Sequence, residues 1–129
     1  MSLVSIKKQV DGSVEHICNK ITETIPSIGF GILTRIDFDK KIQEKLNERI
    51  NKTVILGACH PKLALEAYRQ TTDVTLLMPC NIVVREIDDG TVLVEAIRPS
   101  QMLQMLNEVS PSDTLHEAEQ NLENFILAL

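Results

Sequence analysis

The sequence has few aromatic residues and no concentrated patch of positive charge. Tryptophan is absent and the aromatic share is 3%, so a buried core must be built mainly from Ile, Leu and Val. The net charge is −5, and the basic residues do not cluster beyond the pairs Lys7-Lys8 and Lys40-Lys41. Because non-specific nucleic-acid binding draws on a concentrated positive surface, we expect no nucleic-acid partner.

Long hydrophobic runs are also missing. No apolar stretch approaches the roughly 20 residues of a membrane-spanning helix, and the two lysines near the N-terminus are not followed by the apolar segment of a secretory signal. We therefore expect no membrane partner and a cytoplasmic location. Three cysteines leave at least one thiol unpaired within a chain, and cytoplasmic thiols are normally reduced.

Several well-known functional motifs are absent. The sequence contains no Gly-x-Gly-x-x-Gly, Walker loop, Gly-x-Ser-x-Gly or His-Glu-x-x-His, which excludes the nucleotide-binding, hydrolase and metalloprotease classes that these motifs identify. It also lacks Cys-x-x-Cys and His-x-x-x-His pairs. No cofactor is predicted.

The residues that are present indicate one globular domain over 1–129, with 43% hydrophobic and 24% charged residues. The apolar periodicity predicts the order β-α-β-α-β-α-β-β-β-α-α, if residues 74–78 count as a strand. The strongest local signal is Asp88-Asp89-Gly90 between two β-branched runs, 81–87 and 91–97, which predicts a hairpin. We expect an α+β fold, a two-layer α/β sandwich whose mixed, largely antiparallel sheet carries helices mainly on one face.

That layout leaves the second face of the sheet to be explained. Alternation along the predicted strands places four polar residues there, as a shallow cleft, a dimer surface or ordinary solvated positions: Arg35, Asp37, Asn81 and Arg85.

The segment 53–84 holds the residues with the most chemistry. An apolar strand, 53–58, leads into Cys59, and His60-Pro61 then opens a helix. Because a helix N-terminus favours an anion, the site would suit a Cys59 thiolate of lowered pKa, or a bound phosphate or carboxylate. Gly57 would let a ligand or backbone approach closely. The alternative is that Cys59 is a small buried residue at a tight turn.

Cys80 lies at a second element boundary, where it could share a site with Cys59. Three functions are then possible besides a purely structural or interaction role. In a thiol redox or sulfur-transfer protein, Cys59 attacks and Cys80 resolves. A soft metal site would use Cys59, His60 and Cys80 with Met78 nearby, although the close pairs typical of zinc are missing. In a binding module without covalent chemistry, six residues would surround a small anionic or sulfur-containing ligand: Gly57, Cys59, His60, Asn81, Arg85 and Arg35.

Other cysteine, methionine and histidine residues have simpler interpretations. Cys18 lies on the apolar stripe of a predicted helix and is expected to be a buried structural thiol. Met102 and Met105 are expected to fill the core, while His16 and His116 are expected to face solvent.

Three blocks of residues carry a resemblance to a known family. They are Gly29-Phe30-Gly31 with Thr34 and Asp37, Ile55 to Cys59 with Pro61 and Ala64, and Met78 to Asn81 leading to Val83 to Glu86. Over most of its length the chain resembles the domain of unknown function 302 family. The resemblance implies a compact α/β fold similar to that of the TATA-binding protein, assembled as a homodimer, with no implication of DNA binding and no agreed activity, substrate or cofactor.

The family's patterned cysteines match Cys59 and Cys80, whereas the position after Cys59, often asparagine in relatives, is His60. We therefore predict a cytoplasmic homodimeric module that binds a small anionic or sulfur-containing ligand near Cys59 and Cys80.

Overall fold

A computed structural model describes residues 4–129 of the chain. Residues 2 and 3, which begin the first strand predicted over residues 2–10, lie outside the described residues. The elements in chain order are β1 (Ser5–Asp11), α1 (Val14–Thr24), a 3-10 turn (Ile25–Ile28), β2 (Gly31–Asp37), α2 (Phe38–Leu46), β3 (Thr53–Cys59), α3 (Pro61–Gln70), a second 3-10 turn (Thr72–Leu76), β4 (Cys80–Asp88), β5 (Thr91–Ile97), α4 (Pro99–Leu103) and α5 (Asp113–Leu127).

The five strands form one sheet in the order β1-β5-β4-β3-β2. All strand pairs recorded among the described residues are antiparallel, where a mixed, largely antiparallel sheet was predicted. Successive strands from β2 to β5 are neighbours that reverse direction, and α1 carries the chain from one edge of the sheet to the other. The predicted hairpin is confirmed, with Asp88 opposite Thr91 and Gly90 in the left-handed region at φ 79°.

The core lies between one face of this sheet and the helices. Strand residues such as Leu56, Ile82 and Val94 are fully buried, and Ile17 of α1 and Leu122 of α5 are buried with them. The α+β class and the helical layer on one face are therefore confirmed. Among residues 4–129, no helix combines the length and apolar character needed to cross a membrane.

Residues 74–78 do not form the strand that the sequence predicted. The hydroxyl of Thr71 accepts a hydrogen bond from the backbone amide of Asp73 and starts the second 3-10 turn. Val74 is fully buried, but Leu76 is 81% exposed. A strand packed on the core would bury alternate residues. This segment buries only Val74, which is typical of a short 3-10 turn.

The placement of Arg35 and Asp37 on the open face was wrong because β2 contains a bulge. Ile32 lies opposite Ala58 and Thr34 lies opposite Gly57, so Leu33 is an extra residue that reverses the alternation. Beyond the bulge, Arg35 pairs with Leu56, whose side chain faces the helices. Arg35 donates two hydrogen bonds to the Glu15 carboxylate of α1, at 2.7 and 3.0 Å.

The opposite face of the sheet is partly exposed. Ile55 and Val83 lie side by side on it, and both are half-buried. Arg85 of the same face binds Glu95 of the neighbouring strand at 3.0 Å. This face thus combines an apolar centre with charged pairs.

Candidate sulfur-lined site

The two candidate thiols lie at the ends of neighbouring strands. Cys59 is the last residue of β3 and Cys80 the first of β4, directly opposite Ala58. The prediction that both lie at element boundaries is confirmed. Cys80 is buried and Cys59 is half-buried, and both are free thiols.

Both thiols line a single small cavity, which we call the sulfur cavity. Its volume of about 10 Å³ is near the minimum that holds one water-sized group. Two thiols and two thioethers contribute to its surface, and apolar side chains and His60 complete it. The lining residues are Phe30, Ala58, Cys59, His60, Leu63, Met78, Cys80 and Met102.

Met102 enters the cavity from α4. This helix has only five residues and begins at Pro99, a residue favoured at the first helical position, and its Met102 is buried. The Cys80 thiol donates a weak hydrogen bond to Met102 Sδ at 3.7 Å. Met102 thus fills the core as predicted, but it also holds Cys80 in place, whereas Met105 is 72% exposed and not core.

His60 is fixed by its role at the start of α3. Its Nδ1 accepts a hydrogen bond from the Leu63 backbone amide at 3.1 Å, which caps the helix as an Asn or Asp side chain would. In the neutral ring, the other nitrogen, Nε2, must therefore carry the hydrogen. The ring also makes an edge contact with Phe30, with centroids 5.0 Å apart.

Gly29 makes room for this imidazole. Its φ of 86° lies in the left-handed region, and a Cβ atom there would lie 3.0 Å from His60 Nε2. Phe30 and His60 are therefore brought together by a glycine on one side and a helix cap on the other.

The expected low-pKa thiol is not found. Burial raises the pKa of the Cys59 thiol, and burial together with the nearby Cys59 raises the pKa of Cys80 to about 11. The Leu63 and Ala64 amides in the first turn of α3 donate to His60 Nδ1 and to the His60 carbonyl oxygen, and not to the Cys59 thiol. Burial also lowers the pKa of His60, which keeps the ring neutral.

The metal alternative is not supported by the geometry. Within the described part of the chain, no group of three or more His, Cys, Asp or Glu side chains is arranged to hold a metal ion. The proposed ligand His60 has its Nδ1 engaged by the Leu63 amide.

The other predicted ligand residues lie away from the cavity. The close approach at Gly57 is made by the chain itself, because a Cβ atom there would meet Thr34 Oγ1 and lie 2.6 Å from Pro79 Cγ. Asn81 and Arg85 both lie on the open sheet face, where Asn81 is exposed and Arg85 is half-buried. Arg35 lies at the helix side in its pair with Glu15.

A second cavity also borders His60. This polar cleft, of about 240 Å³, lies between the first 3-10 turn, the start of α3 and α5. Its lining residues are Ser27, Ile28, His60, Lys62, Thr114, Glu117, Ala118 and Asn121. Apart from His60, nothing in the sequence pattern marked these residues, because they come from three separate segments.

Comparison with known proteins decides the family. A family model described as "Domain of unknown function DUF302" matches residues 6–129. The chain belongs to the DUF302 family. Among solved structures, it is similar to that of an uncharacterized conserved DUF302 protein from Bacillus stearothermophilus, with a TM-score of 0.76 and 23% identity over 97% of this chain and 94% of that one. A search of curated proteins finds no match.

In this DUF302 protein, the sequence singled out part of the lining of the sulfur cavity. Cys59, His60, Met78 and Cys80 all line the sulfur cavity, and Cys18 is buried elsewhere, as predicted. His16 and His116 are exposed, also as predicted. Four lining residues were not predicted as site residues: Phe30, Ala58, Leu63 and Met102. The Gly29-Phe30-Gly31 block was the available signal for Phe30.

Proposed function

We propose that this DUF302 protein is a single-domain binding module that takes a small sulfur-containing group into the sulfur cavity. One observation carries the proposal: Cys59, Cys80, Met78 and Met102 converge on the same cavity. Thiols are weak donors and thioethers weak acceptors, and both are polarizable. A ligand thiol would match this lining in donor, acceptor and contact character.

The cavity favours a neutral group over the small anion that was also predicted. Its lining contains no lysine or arginine, and the lowered pKa of His60 removes the remaining source of positive charge. Placing an unpaired anion in an apolar cavity is costly. With a volume of about 10 Å³, the cavity suits the single sulfur end of a ligand.

Thiol redox or sulfur-transfer chemistry is the second candidate, supported by two free thiols in one cavity. Nucleophilic attack requires a thiolate, and the raised pKa values of Cys59 and Cys80 disfavour it. Either function needs free thiols, which is the basis for proposing a cytoplasmic, reducing location.

We further propose that the protein works as a homodimer, as the family resemblance implies. The half-buried Ile55 and Val83 on the open sheet face support this arrangement. Light scattering of the purified protein tests it: Val83→Lys should shift a dimer mass to the monomer mass, and a wild-type monomer at all concentrations would overturn the proposal.

Ligand binding is tested by titrating methanethiol into protein whose methionine methyl groups carry ¹³C. The signals of Met78 and Met102 should shift with saturation, and the exposed Met105 should not. Cys59→Ser should weaken binding, whereas Cys18→Ala, a buried thiol outside the cavity, should leave it unchanged. A purely structural role for the cysteines predicts no saturable shift. That result, or equal shifts with methanol, would overturn the proposal.

A further inference from the structure

The polar cleft and the sulfur cavity are adjacent. His60 is the one residue that appears in the lining of both, so a single imidazole ring borders each. The volume of the cleft, about 240 Å³, is below the roughly 300 to 1,000 Å³ typical of pockets for drug-sized ligands. Together the two spaces suit a small ligand with a compact polar head and a sulfur end.

The cleft presents one positive and one negative side chain. Lys62 stands in the first turn of α3, and Glu117 in the first half of α5. Within the described residues, neither makes an ion pair with any partner inside 4.0 Å. Both are close enough to act on His60, whose pKa Lys62 lowers and Glu117 raises. The two charges therefore face the same space without neutralising each other directly.

We infer that the polar cleft binds the charged head of the ligand whose sulfur enters the sulfur cavity, and that the ligand is an amino-acid-like thiol carrying both an ammonium and a carboxylate group. Lys62 pairs with the carboxylate and Glu117 with the ammonium group. The Asn121 amide supplies a further donor and acceptor from the same lining, and the Ser27 hydroxyl, which donates to the Thr24 carbonyl oxygen, supplies an acceptor. This inference rests on the proposed function, since it requires the sulfur cavity to accept a thiol.

Four thiols that differ chiefly in their charged groups test the inference in full-length protein kept reduced with a phosphine. They are methanethiol, cysteamine with an ammonium group, 3-mercaptopropionate with a carboxylate group, and L-cysteine with both. Affinity should be lowest for methanethiol and highest for L-cysteine. L-serine, which has the same head but a hydroxyl group in place of the thiol, should bind more weakly than L-cysteine.

Two variants separate the charges. Lys62→Ala should weaken the binding of 3-mercaptopropionate and of L-cysteine by about three- to tenfold and leave the binding of cysteamine unchanged. Glu117→Ala should weaken the binding of cysteamine and of L-cysteine by a similar factor and leave the binding of 3-mercaptopropionate unchanged. Neither should alter methanethiol binding. Lys20→Ala and Glu23→Ala, which remove the same charges from the exposed face of α1, serve as matched controls.

The outcomes distinguish this inference from the proposed function. If methanethiol binds but L-cysteine binds no tighter, or if both cleft variants leave L-cysteine unaffected, the inference is overturned and the proposed function stands. If methanethiol does not bind, or L-serine matches L-cysteine, the sulfur cavity does not recognise sulfur and both are overturned.

Discussion

His60 Nδ1 accepts a hydrogen bond from the Leu63 backbone amide at 3.1 Å, and this single contact joins the start of α3 to both cavities. The sequence suggested this imidazole as a metal or small-ligand contact, but its Nδ1 caps a helix. It remains a wall of the site, and its position follows from the cap.

Removing the cap should cost stability. His60→Ala is expected to lower the free energy of unfolding by about 1 kcal/mol, the usual effect of losing a side-chain N-cap. His60→Asn, which restores an acceptor at the same position, should recover most of that loss. Urea unfolding of the three proteins checks the prediction, and equal stability of His60→Ala and wild type would show that the hydrogen bond contributes nothing.

The same residue should make stability depend on pH. Burial lowers the pKa of His60 below its usual value of 6.5, so the unfolded chain binds the proton more readily than the folded one. The contribution of neutral His60 is fully present above pH 6.5 and is lost as the pH falls through the lowered folded-state pKa. Urea midpoints measured between pH 8 and pH 5 should fall more steeply for wild type than for His60→Asn. Parallel curves would contradict this account, and His116→Asn, at an exposed histidine, is the matched control.

Gly29 should not tolerate a side chain. Gly29→Ala is expected to cost about 1–2 kcal/mol because its φ of 86° is unfavourable for residues with a Cβ atom, and the new Cβ would crowd His60 Nε2. Gly31→Ala is the control two residues away, where an added Cβ meets nothing within 4 Å. Similar losses in thermal unfolding for both variants would contradict the proposed packing of His60.

Gly57 is expected to be sensitive for a different reason. An alanine Cβ there would overlap Thr34 Oγ1 and lie 2.6 Å from Pro79 Cγ, so Gly57→Ala should cost about 1–3 kcal/mol through overpacking. Adding Thr34→Ala, which removes the hydroxyl, should recover part of the loss. If the double variant is as unstable as the single one, Thr34 is not the cause of the strain.

The cavity thiols should react slowly with iodoacetamide at neutral pH. The half-buried Cys59 should be modified before Cys80, whose pKa burial raises to about 11. Rates measured by mass spectrometry from pH 6 to pH 10 should keep rising across that range for both. A plateau near pH 7 at either cysteine would show an acidic thiol and make redox or sulfur-transfer chemistry the leading function.

The sequence predicted the elements well where side-chain period and capping agree. Ser13 caps α1 and accepts a hydrogen bond from the His16 amide, and a serine directly before an apolar helical stripe is a typical N-cap signal. The prediction failed at Leu33 because a one-residue bulge leaves no mark on an alternating strand but moves Arg35 to the other face. Residues 74–78 looked like a strand because short apolar runs do not distinguish a strand from a buried turn.

The site was predictable only in part, for a related reason. The segment 53–84 is continuous in sequence, so Cys59, His60, Met78 and Cys80 could be grouped before the fold was known. Met102 reaches Cys80 from a helix beyond the hairpin, and Glu117 reaches the polar cleft from α5. Such long-range contacts depend on how helices pack on the sheet, which periodicity does not specify.

Binding of a thiol in the sulfur cavity is tested most directly by a crystal structure of the protein soaked with methanethiol, with anomalous sulfur scattering recorded at long wavelength. A bound thiol should add a sulfur peak within the cavity, beside those of Cys59, Cys80, Met78 and Met102, and this peak should be lost in Cys59→Ser. Only the peaks of the protein's own sulfur atoms, with the cavity lining unchanged, would contradict it.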